Sequence, residues 1–168
     1  MEFEKVIRER TAIRKFKNEQ IKKEELNSIL NAGRLAPTAK NIQPQKIYVV
    51  ESKEGIEKID RVSPCRYNAP TVLVVCSNKD IAFKKEDYST YEMDACIVAT
   101  HMMLEATNIG LGSIWIEFFD TEKLKQEFNL DNNIEPICLI PIGYVADDYN
   151  GNPMHNVRKN IEDIVEYK

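Results

Sequence analysis

A chain of 168 residues, 43% hydrophobic and 30% charged, is long enough for one domain with its own core. Its net charge of −4 lacks the basic excess of a nucleic-acid binder, and no apolar run approaches the roughly 20 residues that span a bilayer. The charged opening "MEFEKVIRER" has no apolar h-region to mark the chain for export. Cys65, Cys76, Cys96 and Cys138 form neither a CxxC pair nor a disulfide frame. The expectation is a single domain over 1–168, with reduced thiols in the cytoplasm and no metal site.

In chain order, the first predicted helix runs from Phe3 to about Arg10. Arg10 and Arg14 follow in "RERTAIRKFK", and if the helical turn continues they share one side, a turn apart. Two such guanidiniums suit a terminal phosphate; a solvated basic face is the other reading. In "KKEELNSILNAGRLA", Leu26, Ile29, Leu30 and Gly33 fall at i, i+3, i+4 and i+7 and predict a second helix.

The next segment, "APTAKNIQPQKIYVV", uses more residues than a helix-to-strand connector needs. Pro37 and Pro44 stiffen it, while Thr38, Asn41 and Gln43 offer donors and acceptors. They match the edge of a heterocycle with carbonyl and N–H groups in a row; an ordinary turn bonded to its own backbone is the alternative.

"KIYVV" and "TVLVVC" read as strands, the second apolar throughout and therefore covered on both faces. "SKEGIEKID" is a weak helix with Ser52 as N-cap. "YEMDACIVATHMMLEATNIG" is a helix of about five turns, apolar around most of its circumference, with Gly110 at its end. "SIWI" is a predicted strand and "DTEKLKQEF" a helix capped by Asp120. "PICLIPIGYV" is the last long apolar run, and "NIEDIVEYK" a predicted terminal helix. Neither His101 nor His155 stands in a metal-binding pattern. "GLGS" lies where a helix ends and a strand begins, the reverse of a dinucleotide fingerprint.

Four of these stretches, in this order, resemble the nitroreductase family of FMN-dependent oxidoreductases. "RTAIRKF" is similar to its early Arg-x-Ser-x-Arg/Lys-x-Phe pattern, and "APTAKNIQPQKIYVV" to its Ala-Pro-Ser segment. "ATNIGLGSIWIEFF" is similar to its Gly-Leu-Gly stretch, and "PIGYV" with "VRKNIEDIV" to its closing strand and tail. The resemblance implies an α+β fold with a mixed central sheet of about four strands flanked by helices. It also implies a homodimer around the long helix, with FMN at the subunit interface.

By the same resemblance Arg10 and Arg158 would hold the FMN phosphate, and Arg14 would lie near the pyrimidine edge. Pro37, Thr38, Ala39, Asn41 and Gln43 would come from the partner's loop. Trp115, Ile116 and Glu117 would line the N5 side, chiefly through backbone groups. Ala12 stands where the family usually has serine, Gln45 where it has an aromatic residue, Glu117 where small members often have glycine, and Asn156 where some relatives have a cation.

The flavin would carry the chemistry, so no catalytic side chain is expected. NAD(P)H would reduce it at N5, and a nitroaromatic, quinone or similar small acceptor would take the electrons in a ping-pong cycle. A non-catalytic flavin-binding or storage dimer is the alternative, and an interaction protein without flavin a third.

Overall fold

The computed structural model describes residues 1–168, and its helices and strands alternate much as the apolar patterns predict. The elements are α1 (Phe3–Glu9), α2 (Lys23–Leu35), β1 (Gln45–Val50), α3 (Lys53–Val62) and β2 (Thr71–Asn78). After them come a small hairpin, β3 (Lys84–Lys85) and β4 (Tyr88–Ser89), then α4 (Tyr91–Asn108) and β5 (Gly112–Ser113). The last are α5 (Thr121–Phe128) and β6 (Ile134–Gly143). No helix is long and apolar enough to cross a membrane.

The main sheet has the order β1-β2-β6-β5. All its named strands pair antiparallel; the parallel pairing expected of a mixed sheet is confined to the bridge between Ala12 and Ser113. β2 lies between β1 and β6, and every residue from Thr71 to Ser77 is buried. Leu73 and Val75 join Ile29, Val98 and Met102 from α2 and α4 in one cluster. Val72, Val74 and Cys76 join Ile59 and Leu124 from α3 and α5 in another. A strand covered on both faces needs apolar residues at successive positions, which explains the unbroken "TVLVVC".

α2 crosses α4 closely enough that a Cβ on Gly33 would lie 2.7 Å from Met102 Cγ. Ala95, Val98, Ala99, Met102, Met103 and Ala106 of α4 are buried, whereas Met93 is 53% exposed and Thr100 is also exposed. Ser52 and Asp120 cap their helices as predicted, accepting from the Gly55 and Lys123 amides. Gly110 ends α4 at φ +86°.

Three expectations are corrected. The first helix stops at Glu9, and residues beyond it are extended: Ile13 donates its amide to Ser113 O, and Lys17 to Tyr144 O. β-Branched Thr11 and Ile13 favour that conformation. Arg10, Ala12 and Arg14 thus stand at alternate positions of an extended chain, not one turn apart on a helix. The strand at "SIWI" shortens to Gly112–Ser113, beyond which Ile114 and Ile116 still donate their amides to Pro141 and Leu139 of β6. "NIEDIVEYK" forms a single 3-10 turn, Ile161–Asp163, with Ile161 and Ile164 exposed. A segment this short is not stable as a helix without a surface to pack on.

Gly112 has a steric reason to be glycine. A Cβ there would sit 2.8 Å from both Ile13 Cγ1 and Val145 Cγ2, where the extended N-terminal segment meets β5. Gly112→Ala is expected to destabilise the fold by about 1–3 kcal/mol, measured by urea unfolding.

Glu135 on β6 joins Lys125 of α5 (2.7 Å) and Lys79 beyond β2 (2.8 Å). Burial raises its carboxyl, and the hydrogen bonds from Lys125 and Lys79 outweigh this and leave it lowered. A carboxyl lowered on folding contributes stability above its unfolded value and loses it as pH falls through the folded value. Glu135→Gln is therefore expected to cost about 1–2 kcal/mol near pH 7. The difference should close as pH drops below about 4, which unfolding curves at both pH values would show.

Candidate functional site

The segment after α2 is held in an unusual backbone conformation. Pro37 keeps Ala36 extended (φ −61°, ψ 141°), which ends the helix. A 3-10 turn over Ala39–Asn41 follows, and Lys40, Asn41 and Gln43 all have positive φ, at 52°, 55° and 56°. Left-handed backbone costs a non-glycine residue roughly 1–2 kcal/mol, with asparagine the most tolerant. Such strain persists only where the surroundings over-determine it, and it concentrates at functional sites.

Several contacts hold this loop. Gln43 donates its amide to Thr38 Oγ1 (3.0 Å) and its Nε2 to Asn41 O (3.2 Å). Ala39 donates its amide to Asp94 Oδ1 on α4 (2.9 Å). Lys40 Nζ lies 4.5 Å from the centre of the Phe83 ring. Thr38 therefore acts inward, closing the turn, as the ordinary-turn reading has it. Asn41 and Gln43 are exposed, and the Asn41 carboxamide has no partner within the chain.

The arginines separate into two kinds. Arg8, Arg34, Arg61 and Arg66 each have a side-chain partner: Glu4, Asn31, Glu127 and Asp60 respectively. Arg10, Arg14 and Arg158 have none, and Arg158 donates only to backbone carbonyls, at 2.7 Å to Val157 O. These are the same three arginines that the motifs singled out.

The tail that carries Arg158 is brought to α1 by His155, whose Nε2–H donates to Arg8 O (2.7 Å). Ile7, Arg8, His155, Asn156 and Arg158 line a recess of about 440 Å³. Arg10 follows one residue beyond the end of α1. Nothing around His155 in the loop "NPMH" points to this contact, since one that spans 147 residues leaves no local pattern to read.

Ala12 has no side-chain donor, and its carbonyl accepts from the Tyr149 hydroxyl (2.7 Å). In the Trp115–Glu117 segment, Ile116 pairs both its N–H and its C=O with Leu139 at 2.9 Å, so its backbone groups are already used. The Trp115 indole donates to Glu117 Oε1 (2.9 Å) and fixes that exposed carboxylate. Glu117 shares a recess of about 430 Å³ with Tyr91, Glu92 and Cys96. Burial raises the Cys96 thiol, and Glu117 and Glu92 raise it further, so Cys96 is not a thiolate nucleophile.

These residues fall into two groups. The Pro37–Gln43 loop is tied through Asp94 to the first turn of α4. Glu9 and Thr11, flanking Arg10, line a recess with Thr107 and Gly110 at the other end of the same helix. α4 has 18 residues, a length of about 27 Å. One chain therefore does not bring Arg10 and the loop amides onto one small molecule.

The profile described as Nitroreductase family matches residues 7–66 and 63–144. A nitroreductase family protein of Clostridium difficile 630 superposes with a TM-score of 0.94 at 33% identity, covering 100% of this chain and 99% of that one. An FMN-dependent nitroreductase of Clostridium difficile R20291 gives a TM-score of 0.73 at 28% identity, covering 92% and 97%. A protein of Methanothermobacter thermautotrophicus, provisionally named an NADH dehydrogenase/NAD(P)H nitroreductase, is 26% identical over 155 residues, 88% of this chain and 80% of its own. With the profile spanning most of its length, this chain belongs to the nitroreductase family.

Proposed function

We propose that the protein is a homodimeric, FMN-dependent oxidoreductase that takes electrons from NAD(P)H and passes them to a small acceptor such as a nitroaromatic or a quinone. The observation that carries this reading is the trio of arginines without partners, Arg10, Arg14 and Arg158, in a chain whose other arginines are all engaged. Unpaired guanidiniums suit an anionic ligand, and phosphate takes their bidentate geometry.

The donor set fits FMN at both ends. Arg10 and Arg158 would hold the phosphate, the second delivered by the docked tail. Ala12 adds no side-chain hydrogen bond. Arg14 would place a fixed cation beside the pyrimidine edge, where reduction builds negative charge. Asn41 and Gln43, whose carboxamides offer both donors and acceptors, would address that edge from the partner's loop, with Pro37, Thr38 and Ala39 shaping it. Trp115 and Glu117 would border the reacting side, where the indole-braced carboxylate restricts which acceptors fit. When bound, FMN supplies the redox chemistry, and the protein's part is to bind, orient and tune it.

An antiparallel two-fold packing of α4 against its copy would answer the separation along that helix, because it would set the loop end of one chain against the Arg10 end of the other. It would also cover Met93 and Ile97, and Phe3 on α1 (69% exposed) offers further apolar surface.

The purified protein, supplied with FMN, is expected to show bands near roughly 370 and 450 nm that bleach anaerobically on adding NADH or NADPH. A colourless preparation that takes up no FMN would contradict this, and flavin bands without bleaching would favour the non-catalytic store. Arg10→Ala is expected to raise the FMN Kd about 10- to 100-fold. His155→Ala should have a smaller effect, and should speed tryptic cleavage at Arg158 by releasing the tail.

A further inference from the structure

Asp94 is the one charged residue among the fully buried side chains, with 2% of its surface exposed. It packs beside buried Ala95 and Val98 in the first turns of α4, and its oxygens meet no cation. Oδ1 accepts the Ala39 amide (2.9 Å), and Oδ2 accepts the Thr90 hydroxyl (2.8 Å). Thr90 in turn donates its amide to Phe83 O (3.0 Å), and the ring of Phe83 lies beneath Lys40. The left-handed loop is thus anchored just before it begins, at Ala39, and again within it, at Lys40. Both anchors lead back to the turn at the start of α4.

Burying a carboxyl is unfavourable unless its lone pairs are used. The first turn of a helix eases that cost, since its free N–H groups favour negative charge. An alanine or leucine would pack this position without the penalty. What an aspartate adds is a second acceptor on a short arm, so that one residue grips the loop and its own helix cap together.

We propose that Asp94 is a positioning residue for the cofactor loop. By holding the Ala39 amide it fixes the left-handed backbone from Lys40 to Gln43, and so the outward aim of the Asn41 and Gln43 amides. This rests on the reading that those amides meet FMN. Asp94 touches no ligand itself, so its loss should act on FMN through the loop and weaken its binding. Asparagine should substitute, because its Oδ1 accepts the Ala39 amide and the Thr90 hydroxyl can accept as well as donate.

The test combines amide exchange on protein without added FMN with FMN titration of the same samples. In Asp94→Ala the Ala39, Asn41 and Gln43 amides should exchange about 10-fold faster relative to Val98 in the middle of α4, and FMN Kd should rise about 10-fold. Asp94→Asn should restore both. If Asp94→Ala does not fold, Asp94→Ser carries the same expectation, being able to meet Thr90 but too short for Ala39. Loop exchange at the native rate in the Ala or Ser variant would overturn the inference, as would failure of the Asn variant to restore it. Native protein that takes up no FMN would overturn the reading of the site instead, and the exchange rates would still decide what Asp94 holds.

Discussion

α4 carries more apolar surface than its own chain covers. Its inner face, from Ala95 through Met102 to Ala106, packs on α2 and the sheet. The opposite face presents Met93, Cys96, Ile97, Thr100 and His101 along a shallow apolar groove. Burial of apolar area is the main force behind folding and association, so the most economical cover for a helix of this kind is its own copy across a two-fold axis. In its antiparallel form that arrangement would also bring together groups held at opposite ends of α4, which is about 27 Å long. The same helix that completes the core would then also set where a shared ligand is completed.

The loop after α2 shows the other side of that design. Three non-glycine residues with positive φ in four positions do not arise from local preference. They are held from outside, by Thr38 across the turn, by Asp94 beneath it and by Phe83 under Lys40. Strain of this sort fixes the direction of exposed amides without ligand having to order them, and pre-ordering reduces the entropy lost on binding. Arg10, Arg14 and Arg158 have no such bracing, since no side chain of their own chain accepts from them.

Much of this was readable in the sequence. The unbroken apolar run of β2, the Leu26–Gly33 stripe, the Ser52 and Asp120 caps and the all-round hydrophobicity of α4 each have a local cause, and each appears in the structure. Arg10 and Arg14 would face one side if the helical turn continued, but α1 ends at Glu9 and the two stand on an extended chain instead. The terminal helix failed because its apolar residues have no surface on their own chain to define it. Asp94 and His155 were missed because their contacts bridge 55 and 147 residues. A lone aspartate inside "YEMDACIVA" was a usable signal, since a charge among apolar neighbours needs partners. His155 offered none.

The central claim is that two chains share each site, the arginines coming from one and the amides from the other. Mixed dimers test it most directly. An Arg10→Ala chain would be co-expressed with a differently tagged Asn41→Ala/Gln43→Ala chain, and dimers carrying both tags titrated with FMN. Sharing predicts that one of the two sites regains native arginines and native amides, so the mixed dimer should bind one FMN at close to the native affinity although neither parent does. Mixed dimers that bind no more tightly than the parents would contradict the account.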